Sequence, residues 1–158
     1  MSWADAYSYE DDRIPEEVGR RAKTRGWFTK GEFMRICKWK TPRTQDHCKV
    51  NREPFIKWAT RLALSSPHEE GRIRALMMLQ GVKWPTASVI LHFAHRSPYP
   101  ILDYRALWSL GFPEPPKHDF AFWWDYTTCC RRLASRYKVS MRTLDRALWQ
   151  YSKIHQRS

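Results

Sequence analysis

Long apolar runs are missing from this chain. None approaches the roughly 18 residues of a membrane-spanning helix, so none is expected. The opening residues, MSWADAYSYEDDR, have neither a basic start nor an apolar stretch, and no secretory signal is expected from them. No polar–apolar alternation bounded by hairpin turns occurs, which argues against a β-sheet. Cysteine is limited to Cys37, Cys48, Cys129 and Cys130, without a C-x-x-C pair or a metal-knuckle spacing. No zinc site and no iron–sulfur cluster are therefore expected. The reading is free thiols in or near the core and a reducing, intracellular compartment. His92 and His95 share one helix, but further ligands are not evident, so no metal site is assigned.

Acid is scarce beyond the first 17 residues. Those 17 hold six acids and one base; residues 18–158 hold 27 bases against 10 acids, a net of +17. Such a field suits a polyanion, with nucleic acid foremost and an anionic membrane surface or an acidic protein as alternatives. The 158 residues are 42% hydrophobic, enough for one domain with its own core. Nine tryptophans are heavy usage, and most are expected in that core, with a few left to stack on bases.

The pattern is helical throughout. Residues 1–12 read as an acidic flexible tail and 13–158 as a single all-α domain, a compact bundle of about eight helices. A first helix runs from near Pro15 to Gly26. Thr29 and Glu32 form a T-x-x-E capping box for a helix to about Trp39. Residues 41–50 read as a loop. The next helix, about Arg52 to Leu64, places Phe55, Trp58, Ala59 and Leu62 on one face. Ser66, Pro67 and Glu69 mark another start, and Gly81 ends that helix. A helix opens at Pro85 and runs to about His95. Asp103 precedes a short helix that Gly111 ends; Asp119 and Ser140 open the last two.

The informative stretch is residues 76–111. It reads helix, tight Gly81-Val82-Lys83 turn, helix, extended return, Asp103, helix. Gly81 allows close approach of a backbone. The amides and dipole at the start of the following helix suit a phosphate, and Lys83 adds charge there. An ordinary turn between two core helices is the plainer alternative. The helix of 11 residues is roughly 16 Å long, and the seven-residue return can span about 23 Å. Asp103 is thus expected to come back beside the turn. It is also a natural N-cap, and both roles are compatible.

These residues resemble the helix-hairpin-helix DNA glycosylase superfamily. Its L-x-G-V-G-x-x-T-A pattern is similar to Leu79-Gln80-Gly81-Val82-Lys83-Trp84-Pro85-Thr86-Ala87. Pro100-Ile101-Leu102-Asp103 is similar to its adenine-specific branch. Leu144–Tyr151 is similar, more weakly, to the final helix of oxoguanine-type members. The resemblance implies a glycosylase-like fold, double-stranded DNA as partner, a flipped base and Asp103 as the catalytic carboxylate. It implies a DNA surface that includes Gly81, Val82, Lys83, Trp84 and Thr86. No cofactor is required, although hairpin carbonyls in the family hold a monovalent cation when DNA is bound. The chain departs from the pattern in two places. Pro85 stands where bifunctional members carry a Schiff-base lysine, so the implied enzyme is monofunctional, without lyase activity. Lys83 replaces the second hairpin glycine.

Lys38, Trp39, Lys40 and Arg43 interleave base and aromatic and are further DNA-contact candidates, as is Arg105, two residues past Asp103. The alternative for the former is a solvated helix end. Trp84 could wedge into DNA or pack beneath the turn. The expected protein is a monomer, not at a membrane, in the cytoplasm with the nucleoid or in a nucleus. A non-enzymatic DNA-binding protein on the same scaffold is the second reading, and a basic adaptor for an acidic protein the third.

Overall fold

The computed structural model describes residues 2–5 and 12–157. Much of the acidic segment expected as a flexible tail (residues 1 and 6–11) lies outside the described residues. The described residues are all-α, with nine α-helices, a short 3-10 turn and no strand. No described helix is long and apolar enough to cross a membrane. The chain divides into two compact units, Asp11–Ser97 and Pro98–Ser158 with Met1–Glu10.

The first unit holds α1 (Arg13–Arg25), α2 (Lys30–Lys40), the 3-10 turn Pro42–Thr44, α3 (Gln45–Lys49), α4 (Glu53–Ser65), α5 (Glu69–Met77) and α6 (Trp84–Ala94). Helix α6 is apolar on nearly every side, so it can only be central. Residues Thr86–Leu91, Phe93 and Ala94 are all buried. Helices α1, α2 and α5 pack on it. Gly19 of α1 is what admits this close approach: a Cβ there would overlap the Phe93 carbonyl. Phe28, Phe33, Ile36, Ile56, Ile73, Leu76, Leu79, Ile90 and Leu91 fill the surrounding core. The Thr29–Glu32 capping box forms as expected, and Gly26 ends α1 in the left-handed conformation.

Three expectations for this unit are corrected. Residues 41–50 are not a loop but mostly the 3-10 turn and α3, a helix so short that tertiary contact, not propensity, must hold it. The N-cap of α5 is His68, not Ser66. Its Nδ1 accepts from the Gly71 N–H at 3.0 Å, while Ser66 Oγ accepts from the His68 N–H. Ala59 does not share one side of α4 with Phe55, Trp58 and Leu62: it is buried and they are exposed. Ile56, Ala59, Thr60 and Ala63 are the buried residues of α4. The small Ala59, Thr60 and Ala63 let α4 lie along α5, and Thr60 Oγ1 accepts from the Phe28 N–H at 2.9 Å.

The second unit holds α7 (Tyr104–Leu110), α8 (Phe120–Tyr137) and α9 (Met141–His155), with α7 and α8 packed on α9. Asp103, Asp119 and Ser140 each cap the helix that follows. Ser109 Oγ donates to the Leu148 carbonyl at 2.6 Å, tying α7 to α9. Trp123, Tyr99 and Tyr126 are the largest buried side chains. Residues 2–5 form a turn whose Trp3 ring meets the Tyr151 and His155 rings edge-on.

Tryptophan usage departs from expectation. Of the nine, only Trp123 is fully buried. Several half-buried rings lie under cations instead: Arg25 and Lys57 over Trp27, Arg74 over Trp84, Arg131 over Trp124, and Arg105 and Lys153 over Trp149. A chain with excess base and little acid can settle its cations on ring faces.

Candidate functional site: a clamped helical turn and a capping carboxylate

The turn between α5 and α6 sits in the first unit, and its conformation is fixed from outside the turn. Gly81 has φ +79°, where a side chain is strained. A Cβ there would also meet Cys48 Sγ at 2.7 Å and the Cys48 backbone nitrogen at 2.9 Å. The glycine therefore has an intramolecular reason: α3 is pressed against the turn. Asn51, only 4% exposed, completes the hold. Its Nδ2 donates to the Cys48 carbonyl at 2.8 Å and to the Gln80 carbonyl at 2.9 Å. Its Oδ1 accepts from the Gln80 N–H at 2.8 Å. A side-chain amide bonded to both the N–H and the carbonyl of one residue ties down the peptides on either side of it. Nothing in the local sequence marks Asn51 for this role, because its partner lies 29 positions away.

Beside the turn opens a cavity of about 480 Å³, lined by Thr41, Thr44, His47, Gln80, Gly81, Lys83, Pro85 and Thr86. It gathers the end of the Lys38–Arg43 segment, α3 and the turn into one place. Lys83 is exposed and occupies the N-cap position of α6 without a side-chain cap. Thr86 is 2% exposed, and among the described residues its hydroxyl has no hydrogen-bond partner. Of the first-turn residues of α6 that line the cavity, Pro85 has no N–H and Thr86 has one without an intrahelical acceptor. The cavity thus brings together a cation, a hydroxyl and a helix N-terminus, a donor set suited to a singly bonded phosphate oxygen.

The remaining candidates of this unit divide. Val82 is buried, so its side chain anchors the turn and only its backbone faces a ligand. Trp84 is half-buried beneath Arg74, at 5.9 Å, which is packing rather than a projecting wedge. Trp39 meets Phe93 edge-on at 5.6 Å, joining α2 to α6. Lys38 and Arg43 are exposed, and Lys40 is half-buried. His95 Nδ1 accepts from the Ser97 N–H at 2.9 Å, and His92 packs on Phe93. Cys37, Cys48, Cys129 and Cys130 are free thiols, all but Cys129 buried. Burial pushes the Cys130 thiol up to about 12 and raises Cys37 as well, so neither is a nucleophile at neutral pH.

Asp103 belongs to the second unit. Its Oδ1 accepts from the Arg105 N–H at 2.8 Å, the N-cap bond of α7. Helix α8 holds the segment that leads to it. Arg131 Nε donates to the Pro98 carbonyl at 2.7 Å, and Tyr126 Oη donates to the Ile101 carbonyl at 2.8 Å. Tyr99 stacks on Trp123 with ring centroids 5.8 Å apart. Burial raises the Tyr126 phenol well above its ordinary value; Cys130, Asp145 and Asp103 add to that. Tyr126 therefore stays protonated and keeps its donor. Arg105 lies over the Tyr104 and Trp149 rings. Asp145 is buried and paired with Arg142 at 2.7 Å.

A monovalent cation at the turn, as the resemblance implies, would have to share its carbonyls. Leu79 O already accepts from the Val82 N–H and Gln80 O from the Asn51 amide. Each keeps one lone pair, so the Leu79 and Gln80 carbonyls are the residues that would hold such a cation, which would supply positive charge there. Compared with protein-family models, curated proteins and solved structures, the chain matches none.

Proposed function

We propose that this protein binds double-stranded DNA through the α5–α6 turn and acts as a monofunctional DNA glycosylase, with Asp103 as its working carboxylate. The observation that supports this most is the cavity at the start of α6, which Lys83 and Thr86 line together. In this reading a backbone phosphate enters the cavity, and a cation at the turn, when bound, neutralises part of its charge. The target nucleotide leaves the stack. As the N-glycosidic bond breaks, its electron pair departs with the base, and positive charge gathers on the sugar. The carboxylate of Asp103, held in orientation by the Arg105 amide, stabilises that charge or aligns the attacking water. Water adds to the sugar carbon, and the proton it gives up ends on the departed base, which leaves as the neutral nucleobase. Pro85 carries no amine, so no Schiff base forms there, and the product is an intact abasic strand.

The N-cap bond of Asp103 also favours a second reading, a DNA-binding protein without catalysis, in which this carboxylate only caps α7. Both readings share the turn. Lys83→Glu should weaken duplex binding across all sequences and flatten its salt dependence. Unchanged affinity and salt slope in the folded variant would reject the phosphate site. Borohydride trapping on damaged duplex should give no covalent adduct; a strong adduct would show that another amine acts, Lys38 or Lys40 first among them.

A further inference from the structure

Helix α4 carries on its outer side a row of residues at three-residue spacing, Phe55, Trp58 and Arg61, and its extended N-cap residue Arg52 precedes them. Residues three apart are neighbours on a helix surface, and the helical row from Phe55 to Arg61 is about 9 Å long. All four are exposed, Trp58 to 50%. The Phe55 and Trp58 rings are stacked, 13° from parallel, with centroids 5.8 Å apart. Rings of this size gain by burial, yet the buried side of α4 is built from Ile56, Ala59, Thr60 and Ala63. The cations of Arg52 and Arg61 are available, for among the described residues neither guanidinium makes an ion pair, hydrogen bond or ring contact. The helix's one acid, Glu53, is engaged by Lys57 at 3.3 Å and by the Lys30 N–H at 3.1 Å.

From this row we infer a second nucleic-acid surface, distinct from the turn: a platform for single-stranded nucleic acid, with bases stacked on Trp58 and Phe55 and phosphates paired with Arg52 and Arg61. Charge selects the occupant. A second copy meeting this face would bring its own Arg52 and Arg61 against the same two cations, whereas a polyanion with planar bases satisfies both halves of the row. A membrane surface would use the cations but has no use for parallel rings.

The test uses a labelled oligothymidylate of about twelve nucleotides and reads anisotropy, with circular dichroism and melting to confirm folding. Trp58→Ala should weaken binding about tenfold or more, while Trp58→Phe retains most of it. Arg52→Gln with Arg61→Gln should reduce the salt slope by about 1.4, the value for two phosphate contacts on a single strand. Lys83→Glu should leave oligothymidylate binding within about threefold, whatever it does to duplex. A failure of the turn as a duplex site is thereby separate from a failure of this platform. Unchanged oligothymidylate affinity in folded Trp58→Ala overturns the inference. So does loss of that affinity in Lys83→Glu alone. It is also overturned if Trp58→Ala instead abolishes a dimer seen by sedimentation, or binding to phosphatidylserine vesicles, and spares the oligonucleotide.

Discussion

The two short connections that carry the motif, the α5–α6 turn and the Pro98–Asp103 segment, are fixed in different ways. Beyond the buried Val82, the turn depends on a single side-chain amide and a single missing Cβ: Asn51 grips the N–H and carbonyl of Gln80, and Gly81 lets Cys48 close in. The Asp103 segment is held in several places at once, by Arg131 on Pro98, Tyr126 on Ile101, a ring stack at Tyr99 and the carboxylate's own cap. A structure fixed at one point fails at that point, and one fixed at several loses a part. The turn should therefore be much the more fragile under single substitutions.

Gly81→Ala should have the largest effect. It combines a left-handed backbone with an overlap onto the Cys48 backbone, which cannot swing away, and should cost roughly 3 kcal/mol or more in denaturant melts. A loss below about 1 kcal/mol would mean that α3 yields and the turn is not clamped. Asn51→Ala comes next. It removes three hydrogen bonds and strands the Gln80 amide and carbonyl, so about 2–3 kcal/mol is expected. Hydrogen exchange at Gln80 and Val82 should accelerate at the same time. Tyr126→Phe takes away one bond to a buried carbonyl and should cost about 1–2 kcal/mol, with no change in duplex affinity. An equal loss from Tyr126→Phe and Asn51→Ala would erase the contrast between the two connections.

The smallest effect is a pH effect outside both connections, which sets the background for the others. Burial alone would raise Glu32, but Arg25 at 2.5 Å and the Thr29 N–H and hydroxyl hold it below the ordinary 4.5. Because the folded value is the lower one, its stabilisation is full above about pH 4.5 and fades as pH falls through the folded value. Glu32→Gln should cost about 1 kcal/mol at pH 7 and less in acid, read from melts across pH 2–7.

Local chemistry explains which parts of this fold were legible. The Thr29–Glu32 box, the caps at Asp103, Asp119 and Ser140 and the stop at Gly26 involve residues within a few positions of each other, so the sequence carries them openly. The Gly81 turn was legible as a turn, but its reason was not, since Cys48 and Asn51 reach it from about 30 positions away. Helix α3 was missed because five residues with no strong periodicity are helical only against their neighbours. Ala59 was grouped with Phe55, Trp58 and Leu62 by hydrophobic spacing, yet it is buried with Ile56, Thr60 and Ala63 while the three larger residues are exposed. Packing distance, not hydrophobicity, chose the side that faces α5. For the candidate site, Asp103, Lys83 and Thr86 stood in the motif, whereas Asn51, Tyr126 and Arg131 act through backbone carbonyls that no motif records.

The central claim, that Asp103 works on a flipped nucleotide and does not merely cap α7, is tested most directly by base release. Wild type and Asp103→Asn are incubated with duplexes carrying alkylated, oxidised, deaminated or mismatched bases, and heat-alkali cleavage reveals abasic sites. Asn caps a helix nearly as well as Asp, so the variant should fold and bind duplex at least as tightly, one repulsive charge having gone. The account predicts release by wild type from at least one duplex and its loss in Asp103→Asn. Equal release by both proteins, or none by wild type across the panel, would contradict it.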